Sequence, residues 1–357
     1  MNYIVLDLEW NQAAYKVDEE DEIPFEIIEI GAVKLNEKAE KIDQFSCLIR
    51  PQIYPFLLRR TKEITGLRDD DLDSKGIYFE DAGEQFLDWC GKDYIFCIWG
   101  PSDLTQLERN LAYYDIKIPW KYPLKYLDVQ KLYALQMQEG KTRRTLEYVI
   151  GALEIPIEGQ FHRAIEDAEY TARVFQRIDR EKYESFFSVD YYRIPRNRFE
   201  EATFYFETYS KYVSRKFNLK EEAVKNRRVR EMPCFYCRRQ MKKEINWFSD
   251  GGHSYFALAT CKNHGLMKGR IRIKTTENYD GVFAVRTIKP CSEEDHASIV
   301  KKKENLTAKR RERRKKDSGK KKEAAEAEVK QQAADKKQKP QSQAKTKKSG
   351  ENAKQDS

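Results

Sequence analysis

The run Tyr3-Ile4-Val5-Leu6-Asp7-Leu8-Glu9 ends an apolar stretch with two carboxylates separated by one leucine. Residues two apart on a strand share a face, so Asp7 and Glu9 stand side by side. Adjacent anions at the margin of a core repel each other, and a hard cation such as Mg²⁺ or Mn²⁺ relieves them through oxygen ligands. A third carboxylate, in Trp99-Gly100-Pro101-Ser102-Asp103, follows a short apolar strand. It precedes Leu104, Leu107 and Leu111, one face of a helix. Asp103 therefore also reads as an N-cap, with Gln106 completing a capping box. The fourth lies in Phe161-His162-Arg163-Ala164-Ile165-Glu166-Asp167-Ala168. Ala164, Ala168 and Ala172 form a stripe of small residues that lets a helix approach a sheet closely. That approach carries Asp167 toward the strand end holding Asp7 and Glu9, with His162 beside it in the preceding loop.

In this order and in these contexts, the four carboxylates and the histidine resemble the DEDDh, or DnaQ-like, exonucleases. Ile27-Ile28-Glu29-Ile30-Gly31-Ala32-Val33 is similar to that family's second strand, and Glu63-Ile64-Thr65-Gly66-Leu67 to its substrate-side loop. Trp99–Asp103 and Gly159–Asp167 resemble the branch of histone-mRNA 3′-exonuclease-like and KapD-like proteins. The resemblance covers residues 1 to about 180. It implies a ribonuclease H-like α/β fold, a mixed sheet flanked by helices, and metal-dependent 3′–5′ hydrolysis to 5′-mononucleotides. It also implies a role for each group. Asp7 would bridge two Mg²⁺ or Mn²⁺ ions whose shells Glu9, Asp103 and Asp167 complete. His162 would be the general base, for which an ordinary pKa of ~6.5 suits an imidazole. The expected substrate is a single-stranded 3′ end, of RNA rather than DNA on the branch resemblance. A DNA-trimming exonuclease and a non-catalytic nucleic-acid-binding adaptor of the same fold are the rival readings. Proofreading members follow the first-motif Glu with Thr-Thr-Gly, whereas this chain has Trp10-Asn11-Gln12. An indole there can stack on a base or narrow the pocket, so Trp10 and Thr65 are candidate substrate contacts.

A second chemistry lies further along. Cys234-Phe235-Tyr236-Cys237 and Cys261-Lys262-Asn263-His264 form two pairs of zinc-type ligands. Each pair has the spacing that lets both members of a knuckle reach one ion. We expect one structural Zn²⁺ in a zinc-ribbon-like domain, with His253 as a candidate substitute ligand. Arg270-Ile271-Arg272-Ile273-Lys274 alternates as a strand should, and its three cations are candidate substrate contacts.

The elements that must position these groups follow from composition and patterning. The chain has 357 residues, enough for two domains and an appendage. At 12% aromatic, most of it must fold. No apolar run approaches the ~20 residues of a membrane-spanning helix. Seven cysteines, an odd number, with Cys47, Cys90, Cys97 and Cys291 lacking near partners, point away from a disulfide scaffold and toward a cytoplasmic setting. The net charge is +8, yet residues 301–357 hold 21 Lys+Arg against 9 Asp+Glu, so the whole excess sits at the C-terminus. That segment has no aromatic residue, which predicts a disordered basic tail able to bind a polyanion or ribonucleoprotein. The expected organisation is an exonuclease domain over 1–180 and a helical connector over 181–230. A zinc-ribbon-like domain over 231–296 and a tail over 297–357 complete it.

Overall fold

Alternation along β1 (Asn2–Asn11) decides the architecture of the first half. Tyr3 and Val5 enter one apolar core, while Ile4, Leu6 and Leu8 enter another on the opposite face. A strand buried on both faces must lie inside a sheet covered on both sides. The computed structural model describes residues 1–312 except 140, 141, 160, 207, 250, 277 and 278, together with 327 and 328. In it β1 pairs antiparallel with β2 (Glu26–Leu35), which pairs with β3 (Lys41–Leu48). On its other side β1 runs parallel to β4 (Tyr94–Ile98), and β4 parallel to β5 (Lys125–Asp128). The short strand β6 (Ser188–Val189) pairs antiparallel with β5 and completes the six-stranded order β3-β2-β1-β4-β5-β6.

Between β3 and β4 come α1 (Arg59–Thr65), α2 (Asp69–Lys75) and α3 (Phe79–Cys90). Helix α4 (Ser102–Tyr113) joins α3 over the face of Ile4 and Leu6. Helices α5 (Val129–Gln136), α6 (Leu146–Ala152) and α7 (Ala164–Gln176) cover the face of Tyr3 and Val5. The alanine stripe of α7 is buried as expected. The close approach is made at Gly31 of β2, where an added Cβ would lie 2.0 Å from the Ala164 carbonyl carbon. No larger residue fits under the start of α7. The α/β class and the flanked mixed sheet match the expectation.

Beyond α8 (Arg180–Tyr183) the connector differs from its expected helical form. Instead β7 (Ala202–Tyr205) and β8 (Ser210–Val213) pair antiparallel as a hairpin, followed by the short α9 (Lys220–Lys225). Tyr205, Tyr209 and Tyr212 have helical spacing only because the turn falls between them. Tyr212 is buried while Tyr205 is 38% exposed. The β-branched and aromatic residues of these short strands favour the extended state. The hairpin joins β9 (Lys242–Ser249), β10 (Ser254–Cys261), β11 (Gly265–Thr275) and β12 (Val282–Pro290) in an antiparallel sheet ordered β7-β8-β12-β11-β10-β9. The second folded region thus begins near 202, not 231. Residues 293–312, placed by sequence largely in a disordered tail, are helical, and residues 313–326 and 329–357 lie outside the described residues.

Candidate active site and metal centre

Asp7 and Glu9 continue the β1 face that begins with Tyr3 and Val5, the side on which α7 lies. Asp7 stands opposite Gly31 and Glu9 opposite Glu29, and the register slips between Glu9 and Trp10, ending the regular ladder there. Asp103 comes from the first turn of α4, and its Oδ1 accepts the Leu8 backbone N–H at 3.2 Å. It is not the helix cap: Pro101 holds that position, and Gln106 Oε1, buried with no hydrogen-bond partner among the described residues, closes no capping box. The carboxylate is turned to the sheet instead, tying α4 to the strand that carries Asp7.

Asp167 lies in the first turn of α7, and its Oδ2 accepts the His162 N–H at 3.0 Å. Its Oδ1 is buried with no hydrogen-bond partner among the described residues. Glu9, His162 and Asp167 each offer a ligand atom within 4.8 Å of the others. The His162 ring is half-exposed, with Nε2 3.8 Å from Glu147 Oε1. Below this turn, buried Glu29 receives Arg163 Nε and Nη2 at 3.0 and 2.8 Å and the Ala164 N–H at 3.3 Å. Glu29 thereby anchors the residue after His162 and satisfies a donor at the start of α7. No motif in the sequence marks this role, because Glu29 and Arg163 lie 134 residues apart.

All four carboxyl groups hold protons more tightly than usual. Burial, then the neighbouring Asp103, Asp167, Glu9 and Glu29, pushes Asp7 far up. Burial and the charges of Asp167, Glu29 and Asp103 push Glu9 to about 8, against the pull of Arg163. Burial raises Asp103 to about 6, with Asp167 adding to the shift. Burial likewise raises Asp167 to about 6, although its bond from His162 works in the other direction. An anion cluster of this kind, with one buried oxygen left unpartnered, fits a hard divalent cation: the donors are all oxygens and their repulsion is what such a charge removes.

The expected substrate contacts divide. Trp10 is partly buried and meets Phe25 edge-on at 5.9 Å, so one side of the indole already serves the core. Thr65 is buried, its hydroxyl donating to Thr61 O and accepting the Leu67 N–H. It shapes the loop after α1, and its hydroxyl proton is committed to the Thr61 carbonyl. Asn11, not singled out by sequence, donates to the Tyr54 and Phe56 carbonyls and accepts the Leu58 N–H, binding that loop to β1. Arg270, Arg272 and Lys274 alternate with buried Ile271 and Ile273 as expected.

In the second sheet, Cys261 and His264 sit at the β10–β11 turn, while Cys234 and Cys237 form a separate knuckle before β9. Cys237 Sγ and Cys261 Sγ are 3.7 Å apart, and His264 Nδ1 lies 3.6 and 3.5 Å from Cys234 Sγ and Cys261 Sγ. A tetrahedron with Zn–S bonds of ~2.3 Å has edges of ~3.8 Å, so these four residues fit zinc. The backbone N–H of Asn263, then His264, pulls the Cys261 thiol down to about 6, toward the thiolate a metal needs. His253 is not in this group. Its carbonyl accepts the Ile273 N–H in the preceding loop.

Comparison with known proteins bears on the first half. Residues 4–175 match the exonuclease family RNase T. The probable 3′-5′ exonuclease KapD of Bacillus subtilis (strain 168) is 25% identical over 182 residues, 50% of this chain and 85% of KapD. The PolC-type DNA polymerase III of Thermotoga petrophila is 32% identical over 179 residues, 49% of this chain but 12% of the polymerase. Among solved structures, the nuclease domain of 3′hExo, a DEDDh family member bound to rAMP, is 22% identical. It covers 53% of this chain and 96% of that domain, with a TM-score of 0.46. The second sheet begins after the family match ends.

Proposed function

We propose that this chain, whose residues 4–175 match the RNase T exonuclease family, is a 3′–5′ exonuclease of the DEDDh type that shortens single-stranded RNA from the 3′ end to 5′-mononucleotides. The observation that carries this reading is the convergence of Asp7, Glu9, Asp103, Asp167 and His162 on one end of the first sheet. Asp7, Glu9, Asp103 and Asp167 would hold two Mg²⁺ or Mn²⁺ ions, which supply charge neutralisation at the phosphoryl oxygens and acidify bound water. His162 takes the proton of the attacking water on a ring nitrogen. Glu147 faces its Nε2 and stabilises the imidazolium that results. The Glu29–Arg163 pair holds the turn from which the ring projects. The choice of RNA over DNA rests on the Trp99–Asp103 and Gly159–Asp167 contexts. Cys234, Cys237, Cys261 and His264 would hold one Zn²⁺, and four protein ligands leave no position open for catalysis there.

The test is degradation of matched RNA and DNA oligomers labelled at either end, with and without Mg²⁺ or Mn²⁺. Metal-dependent laddering of the 5′-labelled RNA and immediate loss of a 3′ label as mononucleotide are expected. Absence of hydrolysis of every strand would overturn the activity, and faster loss of DNA would overturn the substrate preference.

A further inference from the structure

The second sheet has one face against its own core; on the other, Val213, Phe283 and Val285 pack under Tyr191, Ile194 and Phe204, and beside that patch runs a row of residues in register. From β9 across to β8, Phe248 stands beside Phe256, Phe256 beside Arg270, Arg270 beside Thr287, and Thr287 beside Lys211. Five strands thus present one line of side chains, four strand spacings or ~19 Å across. The Phe248 and Phe256 rings are 6.2 Å apart, and the Arg270 guanidinium lies 5.7 Å from the Phe256 ring. Two and four residues along β11, on the same face, come exposed Arg272 and then Lys274, whose Nζ lies 4.1 Å from the Tyr191 ring.

The Lys211 end of the row leads to the active site. Lys211 Nζ lies 5.7 and 6.0 Å from the Tyr191 and Tyr209 rings. The Tyr209 hydroxyl donates to the Phe187 carbonyl, which also accepts from Lys131 Nζ at 3.1 Å. Lys131 is in the first turn of α5, whose cap Asp128 is level with Ile98 and, across β4, with Leu6 beside Asp7. That is two strand spacings, ~10 Å. Burial and the charges of Lys131, Lys274 and Arg272 press the Lys211 ammonium down to about 7. Two carboxylates lie nearby: Asp190, which accepts the Tyr192 N–H and feels the charge of Lys274, and Asp128, which caps Lys131 and pairs with Arg143. The cations Lys131, Lys211, Arg272 and Lys274 outnumber these two acids, and the excess positive charge suits an anion.

We propose that this face of the second sheet is a track for the single strand upstream of the 3′ end being hydrolysed, with phosphates at Lys211, Arg272 and Lys274 and bases against Phe248 and Phe256. Alternating cations and aromatic rings are the chemistry by which single strands are held without sequence preference. The inference rests on the exonuclease reading of the first domain and adds where the rest of the strand lies.

The experiment uses the full chain carrying Asp7→Asn, which prevents hydrolysis, without added divalent metal. Anisotropy of a 5′-fluorescein-labelled 24-nucleotide strand is read at several salt concentrations. Replacing Arg272 and Lys274 together by Gln should weaken binding and reduce the salt slope by about 1.4, since each single-strand phosphate contact contributes about 0.7. Exposed Arg272→Gln alone, which cannot disturb the core, should reduce the slope by about half that amount. Phe248→Ala should weaken binding with the slope unchanged. Identical affinity and slope for the double variant would overturn the track. Hydrolysis by the unmutated chain is scored separately with Mn²⁺. Failure there would overturn the exonuclease reading while leaving strand binding to be judged on its own.

Discussion

His162 has φ +66°, a left-handed conformation that residues with a Cβ enter sparingly. The bond from its N–H to Asp167 Oδ2 holds it there, committing one carboxylate oxygen to the turn and leaving the other for a cation. Replacing His162 by Ala should lower kcat by ~10²–10⁴, the range for a lost general base, with Mn²⁺ binding retained. Steady-state kinetics beside calorimetric Mn²⁺ titration checks this, and near-normal turnover would remove His162 from the mechanism. The carboxylates give a second expectation. Glu9, Asp103 and Asp167 are raised to about 8, 6 and 6, so the folded state keeps protons that the unfolded state has released. Stability without added divalent metal therefore falls as pH rises from ~4 to about 8. Thermal melts across that window should show the decline, and Mn²⁺ should flatten it, because the cation replaces the protons. The carboxylates and His162 were legible because each motif is local. Glu29 was not: it reads as one acid inside an apolar strand, and the arginine that reveals it lies 134 residues away.

At the scale of elements, close contacts decide where these groups meet. Gly31 lets α7 rest on β2, so Asp167 and His162 arrive at the end of β1. The alanine stripe made that approach legible, while the partner glycine had no signal of its own. The strands of the first sheet were legible from apolar runs and alternation. The β7–β8 hairpin was not, because strands of four residues carry too little alternation to outweigh an accidental helical spacing of tyrosines. In the second sheet, two ligand-bearing loops are brought together by the ends of β9, β10 and β11. Buried Cys234 and Cys261 belong to the same apolar core as Met232 and Met267. Purified protein should contain about one zinc per chain, and Cys261→Ser should release it and open residues ~231–290 to protease, because structural zinc contributes folding energy directly. Unchanged protease resistance in a zinc-free variant would show that the core alone supports these loops.

The whole molecule is electrically divided, with an acidic cluster at one end of the first sheet and the net positive charge gathered beyond residue 300. Residues 301–357 carry a net charge of +12, and attraction of such a segment to nucleic acid is indifferent to sequence. Removing them should weaken binding of long strands and flatten its salt dependence by about 0.7 per lost phosphate contact. Equal slopes for the full and shortened chains would show that the segment does not engage nucleic acid.

The two-residue strand β6 has a consequence for how the chain can be divided. It lies beyond the family match, which ends at residue 175, yet it pairs with β5 and so covers the outermost strand of the catalytic sheet. Its neighbourhood is also bonded in: Asp190 N–H donates to the Leu124 carbonyl at 2.8 Å, and Lys131 Nζ to the Phe186 carbonyl at 2.7 Å. A fragment cut at 175 would bare a sheet edge with unpaired backbone groups, a template for association with other copies. It should elute as soluble oligomers or precipitate, whereas residues 1–292, a single compact unit, should elute as one defined species on size-exclusion chromatography. The catalytic domain is therefore longer than its homology, and the segment that finishes it is the one that leads the chain into the second sheet.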